Sequence, residues 1–251
     1  MIAQAVPEPM PLLTLAVCVT GLVPLAYLLW RHWKRRPLLR TSPAAFAPAN
    51  PMTLGLFALV YFFLYGLAGL AVATTEPTAA IGGAFATLAG GLVLYRVAVR
   101  RAFRPRGGRG ERIGRGFLAL WAAMPLIYGV ALLLQWLGFK EQQESIRWLA
   151  DRREGWWLIA LHAVLVAPVA EELCFRGLLY PALRQLRGPL YAMLLTAVAF
   201  ALIHHLPAVV VPMVLFGLVM AWMCETNGSP LPCILGHMAF NALTVLQLLL
   251  V

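Results

Sequence analysis

Long apolar runs, rather than amphipathic stripes, organise this chain. Eight of them stand out, at roughly 10–30, 52–73, 79–99, 116–138, 156–176, 189–206, 208–224 and 231–251. Most reach the length of about 20 apolar residues that a membrane-crossing helix needs. The sixth and seventh are short and are parted by Pro207, so seven spans is the alternative count. The dipeptide Gly188-Pro189 predicts a tight turn between two helices. The pattern as a whole predicts an all-α, polytopic transmembrane helix bundle of about eight spans.

Composition points the same way. Of 251 residues, 61% are hydrophobic and only 12% charged, with a mean hydropathy of +0.79. A soluble domain carries about 25% charged residues, so lipid must be the solvent for much of this surface. The net charge of +10 would suggest nucleic acid in a soluble protein. Here the arginines sit in short runs beside apolar segments, which excludes nucleic acid as a partner and indicates basic loops held inside a cytoplasmic (inner) membrane. Arg31, Lys34, Arg35, Arg36 and Arg40 follow the first run, and seven arginines lie between Arg100 and Arg115. Both stretches should be cytoplasmic, and the linker 74–78, without basic residues, external. Residues 140–154 balance four basic against four acidic groups; they should be external, as an interfacial helix with Ile146, Trp148 and Leu149 toward lipid. No positive charge precedes the first run, so it reads as a retained anchor with its N-terminus outside rather than a secretory signal. The Arg/Gly stretch divides residues 1–115, an anchoring region of about three spans, from 116–251, the half with the chemistry. Cys18, Cys174, Cys224 and Cys233 lie in or beside apolar runs without CxxC spacing and read as small reduced side chains.

Ionisable groups inside a span cost about 2.5–3.5 kcal/mol each and mark function by default. They gather in the last hundred residues. Glu171 and Glu172 are adjacent, so on a helix they point about 100° apart and cannot share a role. Glu172 precedes Arg176 by four residues, the favourable order for an ion pair, and reads as a structural brace. That leaves Glu171 as the carboxylate able to exchange a proton with water. Glu171 lies 17 residues before Gly188 and His204 lies 16 after it, so antiparallel helices would bring the two to similar depth. His205 points elsewhere, and the spacing alone does not decide which histidine faces the site. His237 and Asn241 share a helix face and could both donate to an oxyanion, although the nearby loop NGSPLP places His237 shallower than Glu171 unless that loop is recessed. Lone histidines and asparagines in membranes more often bond helix to helix; His162 and His32 fall in that class, and Glu225, beside a loop, reads as solvated.

The three motifs together, EExxxR at Glu171–Arg176, FxxxH at Phe200–His204 and HxxxN at His237–Asn241, resemble the type II CAAX prenyl protease family, also called CPBP or bacteriocin-processing proteins. The resemblance covers about residues 156–251. It implies an intramembrane endopeptidase in which Glu171 activates water with help from His204, His237 and Asn241 form the oxyanion site, and Glu172 and Arg176 support it. The substrate would be a membrane-associated protein or peptide; removal of three residues from a prenylated CaaX terminus is not licensed by the motifs. The family is often labelled metallopeptidase. Zinc held by Glu171, His204 and His237 is conceivable, but HExxH spacing is absent and a metal-free glutamate mechanism is favoured. Two other functions compete: a non-catalytic membrane scaffold or immunity factor of the same family, and a proton-coupled transporter. Against the first, a scaffold has no need of all these polar groups. Against the second, no paired repeat is visible.

Overall fold

The computed structural model describes residues 12–34, 50–74, 77–139, 155–204 and 206–250. The proposed interfacial helix at 140–154, the centre of the 74–78 linker, Arg35, Arg36, Arg40 and His205 lie outside the described residues. The rest is helical, without a strand, in the order α1 Leu12–Trp33, α2 Pro51–Thr74, α3 Pro77–Leu94, α4 Arg109–Trp136, α5 Trp156–Arg187, α6 Pro189–Leu202, α7 Pro207–Asn227 and α8 Leu231–Leu249. These eight correspond one to one with the eight apolar runs.

Local chemistry sets the ends. Asn50 caps α2, its side-chain oxygen accepting from the amides of Met52 at 2.9 Å and Thr53 at 3.3 Å, ahead of Pro51 at the first helical position. Proline also opens α3, α6 and α7. Gly188, at φ +83°, makes the α5–α6 turn, and Gly228, at φ +59°, ends α7 in the left-handed conformation that glycine adopts without strain.

Among the described residues, six helices are long and apolar enough to cross a membrane. The shortest of the eight is α6. It has 14 residues, about 21 Å at 1.5 Å per residue, against a hydrocarbon core of about 30 Å. Within the apolar run 189–206 the helix stops at Leu202 and a turn carries His204.

The buried side chains concentrate on α5, α6 and α7, where Leu178, Tyr180, Phe200, Phe216 and Met220 are fully enclosed. The outer helices keep large apolar groups outward: Leu12, Leu59, Phe63, Phe85 and Trp136 are all exposed. A water-soluble protein would not tolerate that surface. Helices α6 and α7 touch at Gly217, where a Cβ would stand 2.9 Å from Ala197 Cα.

Helix α5 is not uniform. Two π-helical segments, His162–Val166 and Leu173–Leu179, interrupt it. A proline removes the donor for the carbonyl four residues back and presses its ring against it. For Pro168 and Pro181 those carbonyls belong to Val164 and Gly177, each inside one of the π segments. The α-helical stretch between them, Ala167–Glu172, carries the paired glutamates. Such π segments occur often at functional sites.

Candidate active site

Glu172 is the buried centre of the polar cluster. Its Oε1 accepts hydrogen bonds from Arg176 Nη1 at 3.0 Å and His237 Nδ1 at 2.9 Å, and its side chain is fully buried. The pair suggested by the four-residue spacing is present, and His237 joins it as a third member. An ionised carboxylate only accepts, so the imidazole proton on this side sits on Nδ1. Arg176 is equally buried. Its Nη2 donates to the Gly217 carbonyl at 3.0 Å, and its guanidinium lies 4.6 Å from the centroid of the Phe200 ring. One ion pair on α5 thus gathers α6, α7 and α8.

Glu171 points away from this brace, as adjacent helical residues must. Its side chain is 12% exposed, and its Oε2 lies 3.9 Å from His237 Nε2. That distance is too long for a direct hydrogen bond and short enough for both atoms to contact one water. His237 therefore stands between the two carboxylates, one ring nitrogen toward each.

His204 sits just beyond the end of α6. Its Nδ1 lies 3.0 Å from the Phe200 carbonyl, and its ring is 5.0 Å from the Phe200 ring. A carbonyl accepts, so the bond puts a proton on Nδ1 and, in the neutral ring, leaves Nε2 as an acceptor. Phe200 also meets the His237 ring at 5.7 Å, so both imidazoles border one phenyl ring. Phe175 and Phe200, almost equidistant from Gly188, meet edge to face at 5.4 Å. Asn241, one turn beyond His237, donates from Nδ2 to the Ala163 carbonyl at 2.7 Å. This bond ties α8 to the first π segment of α5. Before α8, Asn227 at the end of α7 and Ser229 in the following turn are 1% and 5% exposed.

Glu225 corrects the sequence reading. It is not solvated but fully buried, and it accepts from Arg184 Nε at 2.7 Å, Arg184 Nη2 at 2.8 Å and Tyr180 Oη at 2.8 Å. Its partners lie four apart on α5, more than forty residues away in sequence, so no local spacing announces them. The roles of the Gly217 and Ala163 carbonyls are likewise invisible in sequence, because every residue has a carbonyl. All four cysteines are free; Cys174, Cys224 and Cys233 are buried and Cys18 is partly so. His162 heads the first π segment, and His32 is exposed near the end of α1.

The zinc alternative needs three donors converging on one point. Among the described residues no group of three or more His, Cys, Asp or Glu side chains is placed to hold a metal. Glu171, His204 and His237 do not form such a group in this arrangement.

Residues 153–243 match the family of Rce1-like type II CAAX prenyl endopeptidases. The matched stretch is about a third of the chain and contains Glu171, Glu172, Arg176, His204, His237 and Asn241. It supports an intramembrane CAAX-type protease fold and suggests protease activity. With the apolar helices, it supports an integral, multi-pass membrane protein, and it suggests a lipid bilayer and a peptide as partners. No curated protein and no solved structure matches the chain.

Proposed function

We propose that the protein is a metal-free glutamate endopeptidase that hydrolyses peptide bonds in or beside the bilayer. The observation that carries this reading is the approach of Glu171 Oε2 to His237 Nε2, 3.9 Å apart, with His237 held from behind by the buried Glu172.

Glu171 takes a proton from the attacking water, and the hydroxide adds to the scissile carbonyl. His204, with Nε2 as the acceptor of its neutral ring, assists the deprotonation. The oxyanion is met by His237. Glu171 and Glu172 carry two negative charges and Arg176 one positive, so a protonated His237 makes the cluster neutral. A neutral cluster is the arrangement a low-dielectric site favours. Glu172 then holds the Nδ1 proton and leaves Nε2–H to donate to the developing charge, the same division of labour by which a buried carboxylate orients an imidazole in hydrolytic triads. Asn241 keeps one amide hydrogen on Ala163 and has the second for the oxyanion. Glu171 finally returns its proton to the leaving amine, and the tetrahedral intermediate collapses to acid and amine. We place the protein in the cytoplasmic membrane with its basic segments inside.

Comparative peptidomics of membranes holding wild-type or Glu171→Gln protein tests this. Peptides released by the wild type should vanish in the variant, which keeps the shape of the carboxylate without its basicity. Undiminished cleavage by Glu171→Gln would refute the mechanism.

A further inference from the structure

Helix α4 presents two faces. Gly116, Leu120 and Met124 face the catalytic half: a Cβ on Gly116 would meet Met223 and Pro232, and Leu120 lies against Gly236. The opposite face carries Gly114, Phe117, Leu118 and Trp121 and looks toward α1. The two helices press together at Gly21, where a Cβ would stand 2.6 Å from the Trp121 carbonyl and 2.8 Å from Pro125 Cδ. Between them opens a groove of about 620 Å³, walled on the α1 side by Thr20, Val23, Pro24 and Tyr27.

The walls are apolar, and the polar groups within them are satisfied internally: Trp121 Nε1 donates to Thr20 Oγ1 at 3.1 Å, and Thr20 donates to the Ala16 carbonyl at 2.7 Å. The open end is cationic. The Arg31 guanidinium lies 6.0 Å from the centroid of Tyr27, which lines the groove, and Lys34 follows it, exposed. On α4, Arg109, Arg112 and Arg115 occupy the turns next to Gly114, with Glu111 as the one acid, 3.6 Å from Arg115. A hydrocarbon slot headed by an excess of positive charge complements one kind of membrane molecule, an acyl chain ending in an anionic headgroup.

We infer that the α1–α4 groove binds an anionic phospholipid, one acyl chain lying between Tyr27 and Phe117 and the headgroup meeting Arg31 and the start of α4. The site lies on the face of α4 away from Glu171 and does not depend on the protease reading.

The test uses the full chain in neutral detergent, with thermal unfolding followed on adding mixed micelles of phosphatidylglycerol or phosphatidylcholine, and native mass spectrometry counting bound lipid. Phosphatidylglycerol should raise the unfolding temperature and remain bound as one molecule; phosphatidylcholine at equal concentration should do neither. Gly114→Leu directs a side chain into the groove from a position where a Cβ meets nothing within 4 Å, and it should abolish both effects while unfolding normally without lipid. Arg31→Gln should weaken binding roughly five-fold, what one basic residue contributes at an anionic surface. Equal shifts with the two lipids, or an unchanged phosphatidylglycerol effect in Gly114→Leu, would overturn the assignment. Lost peptide cleavage in Glu171→Gln with intact lipid binding would leave it standing.

Discussion

Replacing Glu172 with alanine should damage the fold far more than replacing its neighbour Glu171, although the two are chemically identical and adjacent. Glu172 is fully buried and accepts from two groups at 3.0 and 2.9 Å. Its removal leaves the Arg176 guanidinium, also fully buried, with the Gly217 carbonyl and the rings of Phe200 and Phe175 as partners. Breaking a buried pair by deleting one member costs about 3–5 kcal/mol, and the cation–π contact offsets about 1–2 kcal/mol at most. At about 2–4 °C per kcal/mol for a chain of this size, a net loss of about 2–4 kcal/mol is a fall of roughly 10 °C in unfolding temperature. Glu171, at the rim and 3.9 Å from His237, should cost less than about 1 kcal/mol. Adding Arg176→Leu to Glu172→Ala removes the stranded charge and should recover part of the loss, because a buried pair removed whole is tolerated better than one broken. The assay is thermal unfolding of detergent-solubilised protein followed by size-exclusion chromatography. A Glu172→Ala protein that unfolds within about 2 °C of wild type, or a double variant no more stable than the single, would refute the reasoning.

Other perturbations separate scaffold from chemistry. His237→Gln should abolish cleavage while the protein still inserts, read as product peptides per folded molecule. Glu225→Ala should lower the unfolding temperature by an amount similar to Glu172→Ala, since it strands Arg184 and Tyr180, yet leave cleavage per folded molecule unchanged. Gly217→Val forces apart α6 and α7, whose backbones already meet; a cost of about 1–3 kcal/mol should appear in the same unfolding assay. Cleavage by purified protein should survive a strong chelator, and activity lost to the chelator and restored by zinc would reverse the metal-free proposal.

The sequence disclosed the helices and hid most of their partners. Apolar runs located all eight helices because lipid imposes one length scale on every span. The α5–α6 turn was readable because glycine and proline announce it, and Phe175 and Phe200, on either side of that turn, meet edge to face. The Glu172–Arg176 pair was readable because it is local. The His237–Glu172 bond was not, since 65 residues separate the partners, and the same distance problem turned Glu225 from a buried anchor into an apparent loop carboxylate. The end of α6 was not legible, because apolarity continues past Leu202 while the helix does not. The π segments escaped for a subtler reason. Pro168 and Pro181 are visible in a helix that must carry the motif, but nothing in the pattern says whether a proline will kink, end or widen it.

Those two prolines and the charge count belong to one argument. A membrane can enclose ionisable groups only if their charges cancel nearby, and cancellation requires fixed geometry. The widened turns flank the two glutamates, and each widened turn also supplies a partner group for the cluster: Ala163, in the first, accepts from Asn241, and Arg176, in the second, pairs with Glu172. Helix α8 is thereby fastened at two points one turn apart, at His237 by a carboxylate and at Asn241 by a carbonyl. Two fastenings fix both the height and the rotation of the helix, which one could not. The direction of His237 Nε2 toward Glu171 is thus built into the backbone of α5, before any substrate arrives.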